Sequence, residues 1–138
     1  MTVKELSQLY WLTREIERDT ERLMELRLKS ESVSSPNLSG VNVMGGDPGR
    51  RVEQMAIAII TLEKAIEEKR IRCLTEQIRL ETFIATIDDS QLRQLFTLRF
   101  INGLNWVQIA HLIGGGNTEE GVKKKVYRYL KSEKNRKK

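Results

Sequence analysis

Lysine and arginine side chains are concentrated near the C-terminus of this 138-residue chain. From residue 121 onward there are nine basic residues and one acidic residue, Glu133, although the whole chain has a formal net charge of only +5. The residues before 121 therefore carry a net negative charge. Clustered ammonium and guanidinium groups bind phosphate oxygens, so this segment is typical of an element that binds a polyanion. The alternative, a solvated basic tail, is our interpretation for Lys137 and Lys138 alone.

A helix through this segment would have one apolar face and one basic face. If Val122, Val126 and Leu130 point toward a core, the opposite face meets solvent. Early outward residues of a recognition helix reach base edges in DNA, while later and flanking residues meet phosphates. We expect Lys124 and Arg128 to bind guanine O6 and N7. The predicted DNA-binding residues are Asn117, Glu120, Gly121, Lys123, Lys124, Lys125, Tyr127, Arg128 and Lys131.

Some of these residues have competing interpretations. Asn117 can cap the helix, with Glu120 three residues later completing a capping box, and we favour this over a bond from Glu120 to a cytosine amino group. Tyr127 can bond a phosphate, or it can pack against the preceding turn. Gly121 leaves room for the backbone to approach DNA closely.

Residue types that support catalysis or metal binding are sparse. His111 is the only histidine and Cys73 the only cysteine, and one of each cannot make a structural zinc site. No serine, cysteine, aspartate or glutamate lies at a sequence spacing from His111 that would indicate a catalytic site. Asp88 and Asp89 are explained by helix capping without a metal. We expect no enzymatic activity, no metal and no cofactor.

Two short helices must position the basic face. Asn102-Gly103 is a stop signal for a preceding helix, and Asn105 can cap the next one with Gln108 at the third position of a capping box. Gly114–Gly116 then breaks that second helix. This order, a short helix, a tight turn and a basic helix, predicts a helix-turn-helix, which places side chains in the DNA major groove.

These two short helices and the basic helix together form a compact unit of three helices. Asp88 or Asp89 is expected to cap the first of them. Such a unit is small and would be marginal alone, so the long helix before it is expected to help hold it. The predicted inward residues are Leu92, Leu95, Phe96 and Phe100 on the first helix, Trp106, Ile109, Ala110, Leu112 and Ile113 on the second, and Val122, Val126, Tyr129 and Leu130 on the third.

Residues 92–113 resemble region four of bacterial RNA polymerase sigma factors. That region has a helix ending in an Arg-aromatic pair, then Gly-Leu-Ser-x-x-Glu-Ile-Ala, a turn and a recognition helix. Arg99-Phe100, Gly103-Leu104 and Ile109-Ala110 match it position for position. Asn105 and Gln108 replace the serine and the glutamate, and both replacements preserve capping.

The layout of the whole chain is similar to small phage and prophage transcriptional regulators of the ArpU and RinA type. These resemble a region-four module placed behind an N-terminal helical part. The likeness covers residues 88–133 in sequence, and over residues 1–87 it rests on layout. It implies double-stranded DNA as a partner, with RNA polymerase as a further one.

The N-terminal part is predicted to be a long helical hairpin. Residues 3–29 form one helix with an apolar seam that Asp19 interrupts, and residues 30–49 read as a flexible loop rich in Ser, Gly and Pro. Residues 50–87 form a helix whose apolar residues follow a strict heptad, which is typical of coiled-coil-like pairing. Its seam is Val52, Met55, Ile59, Leu62, Ile66, Lys69, Cys73, Glu76, Leu80, Phe83 and Ile87.

The expected fold is therefore all-α, with residues 1–87 as a helical hairpin and residues 88–138 as a helix-turn-helix domain with a basic tail. Ala56, Ile60, Ile71, Leu74, Ile78 and Ile84 lie outside the heptad seam. This apolar surface is wider than one partner helix covers, so we expect the hairpin to make a homo-oligomer.

These features favour a sequence-specific DNA-binding transcriptional regulator of phage or prophage origin. One alternative is a phage small terminase, which also joins a helix-turn-helix to an oligomerising helical part; the C-terminal position of the DNA module favours regulation. Another is a protein-interaction module that binds RNA polymerase without reading DNA. No apolar run is long enough to span a bilayer and no signal peptide is recognisable, so we expect a cytoplasmic protein that does not act at a membrane.

Overall fold

The computed structural model describes residues 1–34 and 48–136, and within them all regular structure is helical. The all-α prediction is confirmed. The elements are α1 (Val3–Leu6), α2 (Gln8–Ser34), α3 (Pro48–Ala85), α4 (Ser90–Phe96), a π-helical turn (Thr97–Ile101), α5 (Trp106–Ile113) and α6 (Glu119–Arg136).

The predicted first helix is interrupted near its start. Thr2 caps α1 through a reciprocal capping box with Glu5, and these side-chain bonds lower the pKa of the Glu5 carboxyl. Ser7 ends α1, and its hydroxyl donates to the carbonyl of Val3 at 2.8 Å. The backbone N–H of Ser7 also donates to the Val3 carbonyl, at 2.9 Å, and the break before α2 is confined to Ser7.

The predicted loop at 30–49 is too long at both ends. Residues 30–34 continue α2, and α3 begins at Pro48. Extending an existing helix by a few serines costs little compared with starting a new one. Proline is favoured at the first helical position because its missing N–H has no partner there. The rest of the predicted loop, residues 35–47, lies outside the described residues.

The chain divides into two compact units that do not coincide with the predicted division at residues 87 and 88. One unit contains residues 14–71, and the other joins residues 1–13 to residues 72–138. The last part of α3 and the first helical turns of the chain therefore belong with the helix-turn-helix. Because this unit is larger than the predicted one, it has more apolar residues from which to build a core.

The unit of residues 14–71 is a pair of antiparallel helical segments. Among the residues of this unit that the structure describes, Leu23 and Ile66 have buried side chains. From Met55 to Lys69 the predicted heptad seam is buried or half-buried, whereas Val52 is exposed. The seam periodicity therefore identified the packed face of α3 along most of this unit.

The second unit has a core centred on Phe96. This side chain is fully buried, and its ring packs against the rings of Phe83, Phe100 and Tyr129 at centroid distances of 5.9, 5.6 and 5.7 Å. Interlocking aromatic rings add to the stabilisation from burial alone. The core also contains Leu6, Leu9, Leu80, Ile84, Ile87, Leu95, Trp106, Ile109, Ala110, Val122, Val126 and Leu130.

Candidate nucleic-acid interface

The helix-turn-helix begins at a sharp turn that Arg99 holds. The chain leaves the π-helical turn through Gly103, whose φ of +72° suits glycine. The Arg99 guanidinium donates to the carbonyl of Leu104 at 3.0 Å and lies 4.7 Å from the ring centroid of Trp106. A Cβ at Gly103 would lie 3.7 Å from the ring of Tyr10, so this tyrosine from the start of α2 covers the turn.

A capping box starts α5, as the sequence predicts. The Asn105 side chain accepts from the backbone N–H of Gln108 at 2.8 Å, and the Gln108 side chain accepts from the backbone N–H of Asn105 at 3.0 Å. Asp89 likewise caps α4 by accepting from the N–H of Leu92 at 3.1 Å. These bonds satisfy backbone donors that a helix start leaves without partners.

The turn between α5 and α6 needs glycine at consecutive positions. Gly114, Gly115 and Gly116 have φ values of +66°, +61° and +76°. Residues with a Cβ rarely adopt this region, and never routinely in succession. The glycine run therefore fixes where α5 ends and how the chain enters α6.

The cap of α6 differs from the prediction. Thr118 is the capping residue, because its hydroxyl accepts from the N–H of Gly121 at 3.0 Å. Asn117 lies one residue earlier, and its side-chain amide donates to the carbonyl of Gly114 at 2.7 Å, which closes the turn. Glu120 is the second residue of α6 rather than the third, so it does not complete a capping box. It still favours the helix, since a carboxylate in the first turn complements the helix dipole.

Gly121 has a structural role at this cap. A Cβ added there would lie 3.0 Å from the Thr118 hydroxyl oxygen, which is tighter than ordinary contact. The glycine therefore leaves space for the capping hydroxyl. Close approach of its backbone to DNA stays a prediction.

The buried and exposed faces of α6 are those that the sequence predicts. Val122 and Val126 are fully buried and Leu130 is nearly so. On the opposite face Lys124, Arg128 and Lys131 are exposed. Three cations thus lie on one side of a helix whose other side is anchored in the core, so their charges are presented from a fixed surface.

The two flanks of this basic face contact neighbouring helices. Lys125 is exposed and donates through Nζ to the side-chain oxygen of Gln91 on α4 at 2.8 Å. Tyr127 lies on the other flank, with its ring centroid 6.2 Å from that of Trp106 at the start of α5. Tyr127 therefore packs against α5 rather than against the turn, and it remains 38% exposed. Lys123 is half-buried.

Two cations outside the predicted set, Lys134 and Arg136, are exposed on the last turns of α6. The helical period places Lys134 beside Lys131, so it extends the basic face and could have been predicted, whereas it places Arg136 beside Tyr129 and away from that face. On the inner side of the same helix, burial and then the charge of Glu133 raise the pKa of the Tyr129 hydroxyl, so that group stays neutral.

In the part of the chain that the structure describes, residues 1–34 and 48–136, His, Cys, Asp and Glu side chains do not gather in groups of three or more that could hold a metal ion. None of its helices combines the length and apolar character that crossing a bilayer requires. His111 is exposed on α5.

Comparison with known proteins places the chain in a family. The model of the family DUF1492, described as a protein of unknown function, matches residues 32–130. The chain belongs to this family. The DUF1492 match includes α4, α5 and most of α6, and therefore the exposed Lys124 and Arg128. No curated protein and no solved structure matches the chain.

Proposed function

We propose that this DUF1492 protein is a sequence-specific, double-stranded DNA-binding transcriptional regulator. The observation that carries the proposal is the exposed basic face of α6, made by Lys124, Arg128 and Lys131. This face follows a short capped helix and a tight glycine turn, the order of elements that inserts a recognition helix into the major groove.

The residues of this face divide into two roles. Lys124 and Arg128 lie on the early and middle turns, from which a recognition helix reaches base edges, and they bind guanine O6 and N7. Lys123, Lys125 and Lys131 neutralise phosphates and set the orientation of the module. Tyr127, held on Trp106, presents its hydroxyl at the edge of this surface.

The likeness to sigma factor region four supports this assignment and its cellular setting. Arg99 is the arginine of the Arg-aromatic pair in that resemblance, and its contacts with Leu104 and Trp106 hold the turn before α5. The same likeness to regulators of the ArpU and RinA type points to phage or prophage origin and to a cytoplasmic, non-enzymatic role.

A second candidate function is binding of RNA polymerase without reading DNA. The specific observation is on α5, where Val107 is 58% exposed and Leu112 is 62% exposed, so the prediction that Leu112 points inward is wrong. Large apolar side chains on the outer side of a short helix are suited to a protein partner. For the alternative of a phage small terminase, the described residues offer no comparable observation that favours it over regulation.

The deciding experiment is selection of bound sequences from random duplexes by the full-length protein, followed by affinity measurements over a range of salt concentrations. Regulation by DNA readout predicts one enriched motif. Each neutralised phosphate releases condensed counterions, so six or so cationic contacts give a log–log slope of about −5 per module.

The outcomes separate the candidates. Salt-dependent binding with no enriched motif would contradict sequence-specific regulation. Absence of binding at low salt would contradict DNA binding altogether and favour the RNA polymerase candidate. Purified polymerase, with Val107→Ser/Leu112→Ser as the surface variant, then tests that candidate directly.

A further inference from the structure

Helix α3 has a second apolar stripe, distinct from its buried seam. Ile57, Ile60 and Ile71 are 57%, 53% and 57% exposed. They occupy the alternating three- and four-residue steps of a heptad, in which the intervening positions are Lys64 and Glu67. The same spacing continues along this helix to the exposed Leu74 and Ile78. A heptad stripe on a continuous helix is the pattern that pairs with another helix.

We propose that this stripe is the interface of an antiparallel homodimer, in which it pairs with the same stripe of a second copy of the chain. The two-fold axis passes between positions 64 and 67. Ile60 then packs on the partner's Ile71, and Lys64 faces the partner's Glu67. By symmetry each of these pairs occurs twice, as an isologous interface requires.

Charge complementarity selects the antiparallel direction. A parallel, in-register dimer would put Lys64 against the partner's Lys64 and Glu67 against the partner's Glu67. Like charges at facing positions of a helix pair disfavour that arrangement. The antiparallel dimer replaces both repulsive layers by attractive ones.

The flanking positions agree with this direction. In the antiparallel arrangement Glu63 faces the partner's Arg70, whereas in the parallel one it would face the partner's Glu68. Within one chain Glu63 also forms an ion pair with Arg27, and Arg70 lies 3.8 Å from Glu67 in an exposed pair, so the contribution of this flanking contact to the interface is secondary. The central layers carry the choice of direction.

The same residues select one register. Shifting one helix by a heptad in one direction would put Lys64 against the partner's Ile60. Shifting it the other way would put Glu67 against the partner's Ile71. Both shifts set an ion against an isoleucine. The first leaves no layer in which two apolar residues of the stripe meet, and the second sets Ile60 against the partner's Ile78 but buries Lys64 against the partner's Leu74 and Glu67 against its Ile71. A polar layer that fixes register in this way is a known use of charged residues in paired helices.

Dimerisation through α3 does not depend on the proposed function. It concerns residues 57–71, while the candidate DNA-binding residues lie on α6. If both hold, one dimer carries two recognition helices and prefers a site with two related half-sites. Failure of either leaves the other standing.

Sedimentation equilibrium of the full-length protein tests the dimer and its direction. Lys64→Glu and Glu67→Lys should each weaken dimerisation by about tenfold, because each turns two attractive layers repulsive. The double variant Lys64→Glu/Glu67→Lys should restore the wild-type dissociation constant. In a parallel dimer neither single variant would weaken association, since each merely replaces one like-charge layer by another.

Apolar variants provide the matched control. Ile60→Ser should weaken the dimer, whereas Met24→Ser, at a side chain 60% exposed on α2, should not. Unchanged helicity by circular dichroism separates lost association from lost folding. A wild-type protein that remains monomeric at about 100 µM would overturn the proposal, since dimer population rises with protomer concentration. So would single charge variants that dimerise like wild type.

Discussion

The Lys69 ammonium lies 2.5 Å from a carboxylate oxygen of Asp19, fifty positions earlier in the chain. Asp19 is the polar residue that interrupts the apolar seam of α2, and Lys69 is a polar residue in the heptad seam of α3. Glu15 adds a second carboxylate at 3.5 Å. The two interruptions therefore meet, and any slip of one helix segment along the other would separate them. The pair specifies the register of α2 against α3 in this unit.

Replacing Asp19 by asparagine should lower the free energy of unfolding by about 1.5–3 kcal/mol, the range for a hydrogen bond to a charged group. Lys69 and Asp19 are only 25% and 22% exposed, so water replaces the lost partner poorly. Urea denaturation measures the change. Glu15→Gln is the matched control, with a small effect because Glu15 is 57% exposed.

The double variant Asp19→Leu/Lys69→Leu distinguishes register specification from stabilisation. Replacing a partly buried ion pair by apolar residues is often neutral or stabilising. We expect unfolding free energy equal to or above that of wild type. A double variant as unstable as Asp19→Asn would contradict this account.

High pH should weaken the same unit. The hydrogen bond with Asp19, followed by the nearby carboxylate charges, raises the pKa of Lys69 above its usual 10.5. The folded protein thus holds this proton more tightly than the unfolded chain. The stabilisation is complete below pH 10.5 and is lost as pH rises through the folded-state pKa. Unfolding measured against pH should show this loss in wild type but not in Lys69→Arg, which stays charged.

Lys124→Ala and Arg128→Ala should each weaken binding to the selected DNA site by about 1–3 kcal/mol and relax its sequence preference. Lys125→Ala should weaken binding to all sequences equally and reduce the salt slope by about 1. Arg72→Ala, an exposed cation on α3, is the control. Wild-type affinity in both Lys124→Ala and Arg128→Ala would refute the assignment of α6 as the recognition helix.

Gly114→Ala should destabilise the helix-turn-helix by about 1–3 kcal/mol. Gly114 has φ +66° and ψ −153°, and an added Cβ would meet no atom within 4 Å, so backbone strain is the only cost. Gly49→Ala, within α3, is the matched control and should be neutral or slightly stabilising. Thermal unfolding followed by circular dichroism compares the two variants. Equal stability would mean that the turn tolerates a side chain.

Periodicity and capping chemistry predicted much of this fold because both are local. The heptad of α3, the apolar face of α6 and the Asn105–Gln108 capping box each depend on residues within a few positions of one another. The exposed cations of α6 followed once its buried face was assigned.

The remaining features depend on geometry that a single sequence leaves open. Asn117 and Thr118 are both good capping residues, and the path of the glycine turn decides in favour of Thr118. The packing of Arg99 on Trp106 and the hydrogen bond from Lys125 to Gln91 are tertiary contacts. Nothing local in the sequence shows that Leu6 and Leu9 lie in the same core as α6.

That shared core has a consequence for synthesis on the ribosome. Leu6 and Leu9 are translated long before the residues of α5 and α6 with which they share one hydrophobic core. Until α5 and α6 have been synthesised, these two leucines cannot complete this core. Contacts of such large sequence separation slow folding, because a long loop has to close before they form. Closure of this long loop, rather than the speed of helix formation, then limits how soon the basic helix acquires its buried face.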